Sequence, residues 1–156
     1  MEQPLKHSLD LDKLAQGFGL SKEETIKFLN DGRIVGRLGE FIFANKIGGN
    51  RAKSEGSSYD IDGANGERIE VRSITHGISF ASSKEVGYGR HVTESGYSEK
   101  INSLDLFVGI DFRNLSELVF HKITKDDLIK IEQIGILRKN KSVCSNKIYE
   151  YLKNKS

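Results

Sequence analysis

Asp60, Glu70 and Arg72 stand within the stretch YDIDGANGERIEVRSI at positions 59–74, and their types and spacing suit metal-assisted chemistry on a phosphate. Between the two acids, Asp62-Gly63-Ala64-Asn65-Gly66 has the composition of a tight turn, so two short strands are expected to form a hairpin that brings both carboxylates to one sheet edge. A hard divalent cation such as Mg²⁺ takes about six oxygen ligands, keeps several waters, and is held by one or two carboxylates plus a substrate phosphate. Asp60 and Glu70 would supply the carboxylates and the Val71 backbone carbonyl a further ligand, with Mn²⁺ able to substitute. Residues two apart on a strand share a face, so Glu70 and Arg72 would flank one phosphate while Val71 faces the core.

The elements that must position these residues can be read on either side. Positions 8–30 give two short helices, with Ser21 as an N-cap and Glu24 three residues later. The stretch LDKLAQGFGLSKEETIKFL resembles a helix-turn-helix, but Ile26 arrives one position late, which favours a packed helical hairpin or dimerisation element. Positions 33–46 have helical spacing, with Ile34, Leu38, Phe41 and Ile42 on one side. Gly36 and Gly39 suggest a close backbone neighbour there, and Glu40 lies within this apolar segment. A Gly/Ser-rich loop precedes the hairpin. Leu104 to Phe112 reads as a buried strand, LSELVFHKI as the next, and TKDDLIKIEQIG as a helix capped by Thr124 and closed by Gly135. The order predicts an α+β (mixed α/β) fold, a mixed central sheet flanked by helices with an N-terminal helical hairpin.

These motifs resemble the PD-(D/E)XK nuclease superfamily, whose signature is an acidic residue, a turn, and Glu-X-Lys on the neighbouring strand, often after a helix bearing another glutamate. Asp60 matches the first acid, Glu70 the second, and Glu40 in GRLGEF the helical glutamate; the spacing is similar to that of compact type II restriction endonucleases. The resemblance implies a restriction-endonuclease-like fold and in-line attack of a metal-activated water on a DNA phosphodiester. Asp60 and Glu70 would hold Mg²⁺, Arg72 would clamp the phosphate, and Glu40 would bind a second metal or orient Arg72. Arg72 replaces the lysine of the motif. Arginine stays protonated in proteins and cannot act as a base, so water activation would fall to the metal or to a lysine from elsewhere, such as Lys53 or Lys84.

The polar stretch at 76–100 follows the catalytic strand and is too long for an ordinary connector. With Lys53, its Ser82, Ser83, Lys84, Tyr88, Arg90 and His91 are the expected DNA contacts, Arg90 being the best placed for guanine. A double-stranded DNA substrate with a near-symmetric site implies a homodimer, and a restriction role implies a separate cognate DNA methyltransferase. A Holliday-junction resolvase, a homing endonuclease and a non-catalytic DNA-binding protein remain the alternatives.

The 156 residues, 37% hydrophobic, fit a single domain: a helical subregion at 1–32, a catalytic core at 33–137 and a basic tail at 138–156. A net charge of +2 permits a polyanionic partner without arguing for one. The lone Cys144 excludes an internal disulfide, and without a leader or long apolar run the chain is expected to be cytoplasmic with no membrane partner.

Overall fold

The computed structural model describes residues 3–53, 57–81 and 93–155. Its architecture is α+β, a curled mixed sheet with helices on both faces. Strand β1 (Leu5–Ser8) leads into helices α1 (Leu11–Phe18), α2 (Lys22–Leu29) and α3 (Gly32–Ile47). Strands β2 (Asn50–Arg51), β3 (Ile61–Asp62), β4 (Arg68–Ser73) and β5 (Gly77–Ser79) follow, then helix α4 (Glu94–Asn102). Strands β6 (Leu106–Asp111) and β7 (Glu117–Ile123), helix α5 (Lys125–Gln133), strands β8 (Leu137–Arg138) and β9 (Val143–Ser145) and helix α6 (Ile148–Lys155) complete the order.

Six strands form the main sheet in the order β1-β7-β6-β4-β3-β2, in which β4 and β6 run parallel and the other pairs antiparallel. Strands β5, β9 and β8 form a smaller antiparallel sheet. Alternation along β6 divides the interior in two. Val108 and Ile110 join Val35, Ile42 and Phe43 of α3 under the N-terminal helices, whereas Phe107 points to the other face, toward Ile78, Phe80, Leu128, Ile131 and Leu152. Each face is therefore sealed by a separate apolar cluster.

The local signals at the helix ends act as expected. Ser21 and Glu24 form a reciprocal capping box on α2, Thr124 and Asp127 form another on α5, and Gly135 takes φ +75° just past α5. On helix α3, Ile42 is buried and Ile34 and Leu38 pack in part against the core as expected, and Phe41 departs from them. The buried residues of the helix are Val35, Gly39, Ile42, Phe43 and Ala44, while Phe41 points outward and is 48% exposed. Gly39 is needed because a Cβ there would run into the Ile110 side chain of β6, so the close neighbour is a side chain rather than a backbone.

Three features were not foreseen. Strand β1 pairs with β7 ahead of the helical hairpin, with Leu5 opposite Phe120. Part of the polar stretch forms α4, capped by Thr93 and anchored by buried Tyr97. The expected basic tail is instead β8, a 3-10 turn, β9 and α6, and its Cys144, Ile148 and Leu152 are fully or almost fully buried in the second cluster. Among the described residues no helix is long and apolar enough to cross a membrane.

Candidate active site

The hairpin that carries the two acids forms as its turn residues require. Ile61 pairs with Ile69 and Asp62 with Arg68, the Gly63 N–H donates to the Glu67 carbonyl at 2.8 Å, and Gly66 adopts φ +83° to close the turn. Just before β3, the Asp60 N–H donates to the Ile69 carbonyl at 2.9 Å and its side-chain Oδ2 accepts the Val71 N–H at 2.9 Å. Those contacts fix the first acid against the strand bearing the second. The Val71 side chain faces the apolar core under α3, as the alternation predicts.

Helix α3 forms the opposite wall. Asp31 caps it, the Ser73 hydroxyl donates to the Gly32 carbonyl at 2.6 Å, and a Cβ on Gly32 would crowd Thr75 and Ser73. The N-terminus of α3 is thereby tied to the end of β4. Between them lies an open cleft of about 520 Å³, lined by Arg33, Arg37 and Glu40 from the helix and by Asp60, Glu70 and Arg72 from the hairpin.

Charge in the cleft is unevenly balanced. Burial pushes the Asp60 carboxyl up, Glu70 and Glu40 push in the same direction, and the Val71 N–H and Arg72 only partly offset them, leaving it at about 6. Glu70, only 3% exposed, has both oxygens engaged. Oε1 accepts from Arg72 Nε at 2.9 Å and Nη2 at 2.8 Å, and Oε2 accepts from Lys100 Nζ at 2.8 Å. Lys100, on α4 and 8% exposed, also donates to the Ser58 carbonyl at 2.6 Å.

The structure therefore brings a buried lysine to the second acid from a different element. Sequence reasoning looked for such a lysine at Lys53 or Lys84 and missed Lys100. A signal was present: Tyr97, Ile101 and Leu104 follow i, i+4, i+7 spacing after the Thr93 cap, which would have marked a helix. Lys53 is exposed and outside the cleft lining. Ser82, Ser83, Lys84, Tyr88, Arg90 and His91 lie outside the described residues.

Arg72 and Glu40 are placed differently from expectation. Besides Glu70, the Arg72 guanidinium donates to the Ser79 carbonyl at 3.2 Å and the Ala81 carbonyl at 3.0 Å, so it braces Glu70 against the strand that follows. Glu40 does not bond Arg72. Its Oε2 accepts from Arg37 at 3.1 Å and Arg51 at 3.0 Å, and it acts on Asp60 through charge alone.

Asp60 and Glu70 present hard oxygen donors, and the raised Asp60 carboxyl marks a place where added positive charge lowers the energy. Among the described residues no group of three or more His, Cys, Asp or Glu side chains comes together as a ready-made cage. With both Glu70 oxygens bonded to Arg72 and Lys100, a cation here would displace one of those contacts or rest on Asp60 and take its remaining ligands from water and a phosphate. No protein-family model, curated protein or solved structure matches the chain.

Proposed function

We propose that this protein is a Mg²⁺-dependent endodeoxyribonuclease of the restriction-endonuclease-like class, acting on phosphodiester bonds of double-stranded DNA. One observation carries the reading: Asp60 and Glu70 converge in an open cleft beside Glu40, with the Asp60 carboxyl raised by burial and by these neighbouring carboxylates. Asp60 and Glu70 would hold the ion, which when bound supplies charge stabilisation on the phosphoryl oxygens and eases ionisation of water. Arg72 and Lys100 hold the Glu70 carboxylate in place. Lys100 brings to Glu70 a lysine that the Glu-X-Arg motif itself lacks. Arg33 and Arg37 on the rim meet the flanking phosphates.

A type II restriction enzyme of this size would act as a homodimer, with Phe18 and Phe28 of the N-terminal hairpin, each about half exposed, at the pairing surface. A second reading has its own observation in the complete neutralisation of Glu70 by Arg72 and Lys100, which suits a binding protein that retains the fold without cleavage.

Supercoiled plasmid, linear duplex, four-way junction and single-stranded DNA incubated with Mg²⁺ separate these readings. Discrete duplex fragments are expected, with at least a hundredfold loss in Asp60→Asn and Glu70→Gln, the order seen when one transition-state contact is removed. Cleavage undiminished in both variants sinks the assignment, and binding without cleavage of any substrate favours the second reading.

A further inference from the structure

Along α3, Ile34, Leu38 and Phe41 form an i, i+4, i+7 stripe; Ile34 and Leu38 are half-buried and pack in part against the core, whereas Phe41 at its end stands exposed. They floor an open hollow of about 620 Å³ whose rim is Asp31, Arg33 and Arg37. The same three rim residues also line the carboxylate cleft, so the two depressions share one ridge. Phe41 is 48% exposed, and guanidinium groups gather around its ring: Arg51 lies 4.4 Å from the centroid and Arg37 5.9 Å. An exposed aromatic ring beside an arginine ridge has the two components of a single-strand platform, a face for stacking and cations for the backbone.

From this we infer a subsite for an unpaired nucleobase on Phe41, entered from the cleft across the Arg33 and Arg37 ridge. Local charge selects the occupant. Among the described residues, Arg33 pairs with Asp31 while Arg37 and Arg51 share Glu40, so guanidinium groups line the way a phosphodiester chain would take. The Arg33 side chain is 93% exposed, and its ion pair with Asp31 at 3.2 Å is of the weak surface kind that a phosphate can displace. Stacking is indifferent to base identity, so the subsite selects for strand state rather than sequence. The preferred substrate is then a duplex with an unpaired arm next to the cut. Such a subsite has a use only if the adjoining cleft takes nucleic acid, as proposed above.

The chain contains no tryptophan, so Phe41→Trp places a single indole at the platform. This variant is titrated without divalent cation against a blunt duplex and the same duplex bearing a five-nucleotide single-stranded arm, following Trp emission and, separately, the anisotropy of a dye on the far end. Expected are quenching by the armed duplex only, about tenfold tighter binding of it than of the blunt one, and loss of that preference in Phe41→Ala. Equal affinities with no quenching, or no binding of either duplex, overturn the subsite. So does concentration-dependent dimerisation, by light scattering, that Phe41→Ala abolishes, because the hollow is then a contact between copies. Quenching without cleavage by any substrate leaves the subsite standing and removes the nuclease; cleavage without quenching does the reverse.

Discussion

Asp60 and Asp127 are both carboxylates removed from most solvent and within reach of lysine-bearing regions, yet their protonation equilibria move in opposite directions. Burial pushes each one up. At Asp127 it is outweighed by hydrogen bonds from Lys155, the Thr124 backbone and side chain, and Tyr151, which hold the carboxyl below its ordinary value. Asp60 receives one backbone N–H from Val71 and faces Glu70 and Glu40, and it sits at about 6. The nearby Lys100 is bonded to Glu70 instead. Asp127 shows a charge used to fasten α6 onto α5, with every requirement met inside the fold. At Asp60, burial and two neighbouring carboxylates outweigh the Val71 N–H and Arg72, so the carboxyl holds its proton more tightly than an ordinary one, and under the proposed function a bound cation would relieve that imbalance.

The largest test of this contrast is the removal of one buried partner on each side. Glu70→Ala leaves Lys100 buried without its counter-ion and is expected to lower unfolding free energy by about 3–5 kcal/mol. Asp127→Ala is expected to lose only about 2 kcal/mol, because the Lys155 side chain is one-third exposed and can turn to water while the α5 capping box is lost. Urea denaturation of both variants reads the difference; equal losses would erase the distinction between the two clusters.

A second test uses the sign of the pH dependence. Because folding raises Asp60 from 3.8 to about 6, the folded state takes up a proton in that window, and stability falls as pH rises through it. Asp60→Asn, which keeps an acceptor for the Val71 N–H, is expected to be more stable than wild type above pH 6 by up to about 3 kcal/mol, the gain fading toward pH 4. Asp127 is lowered by folding, so its contribution is present above pH 4 and is lost as pH falls through its folded value. Asp127→Asn should therefore be less stable at neutral pH and converge with wild type in acid. Parallel pH profiles for the two variants would break the comparison.

The smallest effect is on cation linkage. Mg²⁺ at tenfold its dissociation constant is expected to stabilise the wild type by about 1.4 kcal/mol, seen as a rise in Tm. The rise should persist in Asp127→Asn and disappear in Asp60→Asn. A rise in both variants would place the ion elsewhere.

Much of this was legible in the chain itself. The hairpin follows from Asp62-Gly63-Ala64-Asn65-Gly66, and the starts of α2 and α5 follow from Ser21 with Glu24 and Thr124 with Asp127, because turns and caps are satisfied by residues within a few positions of one another. The continuous apolar run that became β6 was equally plain. The facing of α3 was not, since Phe41 and Phe43 are equally apolar and only the packing of Gly39 against Ile110 decides which of them turns inward. The C-terminal segment reads as a solvated basic tail because its scattered apolar residues, among them Cys144, Ile148 and Leu152, have meaning only when the second face of the sheet is there to receive them.

The same division runs through the candidate site. Sequence determined that Asp60 and Glu70 would meet, since a two-strand hairpin of fixed turn length leaves them little choice of position. Tertiary structure decided their state. It brought Lys100 from thirty residues away to Glu70, turned Arg72 onto the carbonyls of Ser79 and Ala81, and set Glu40 between Arg37 and Arg51. Local bonding patterns are written in adjacent residues, whereas the balance of charge in a buried cleft depends on every element that packs around it.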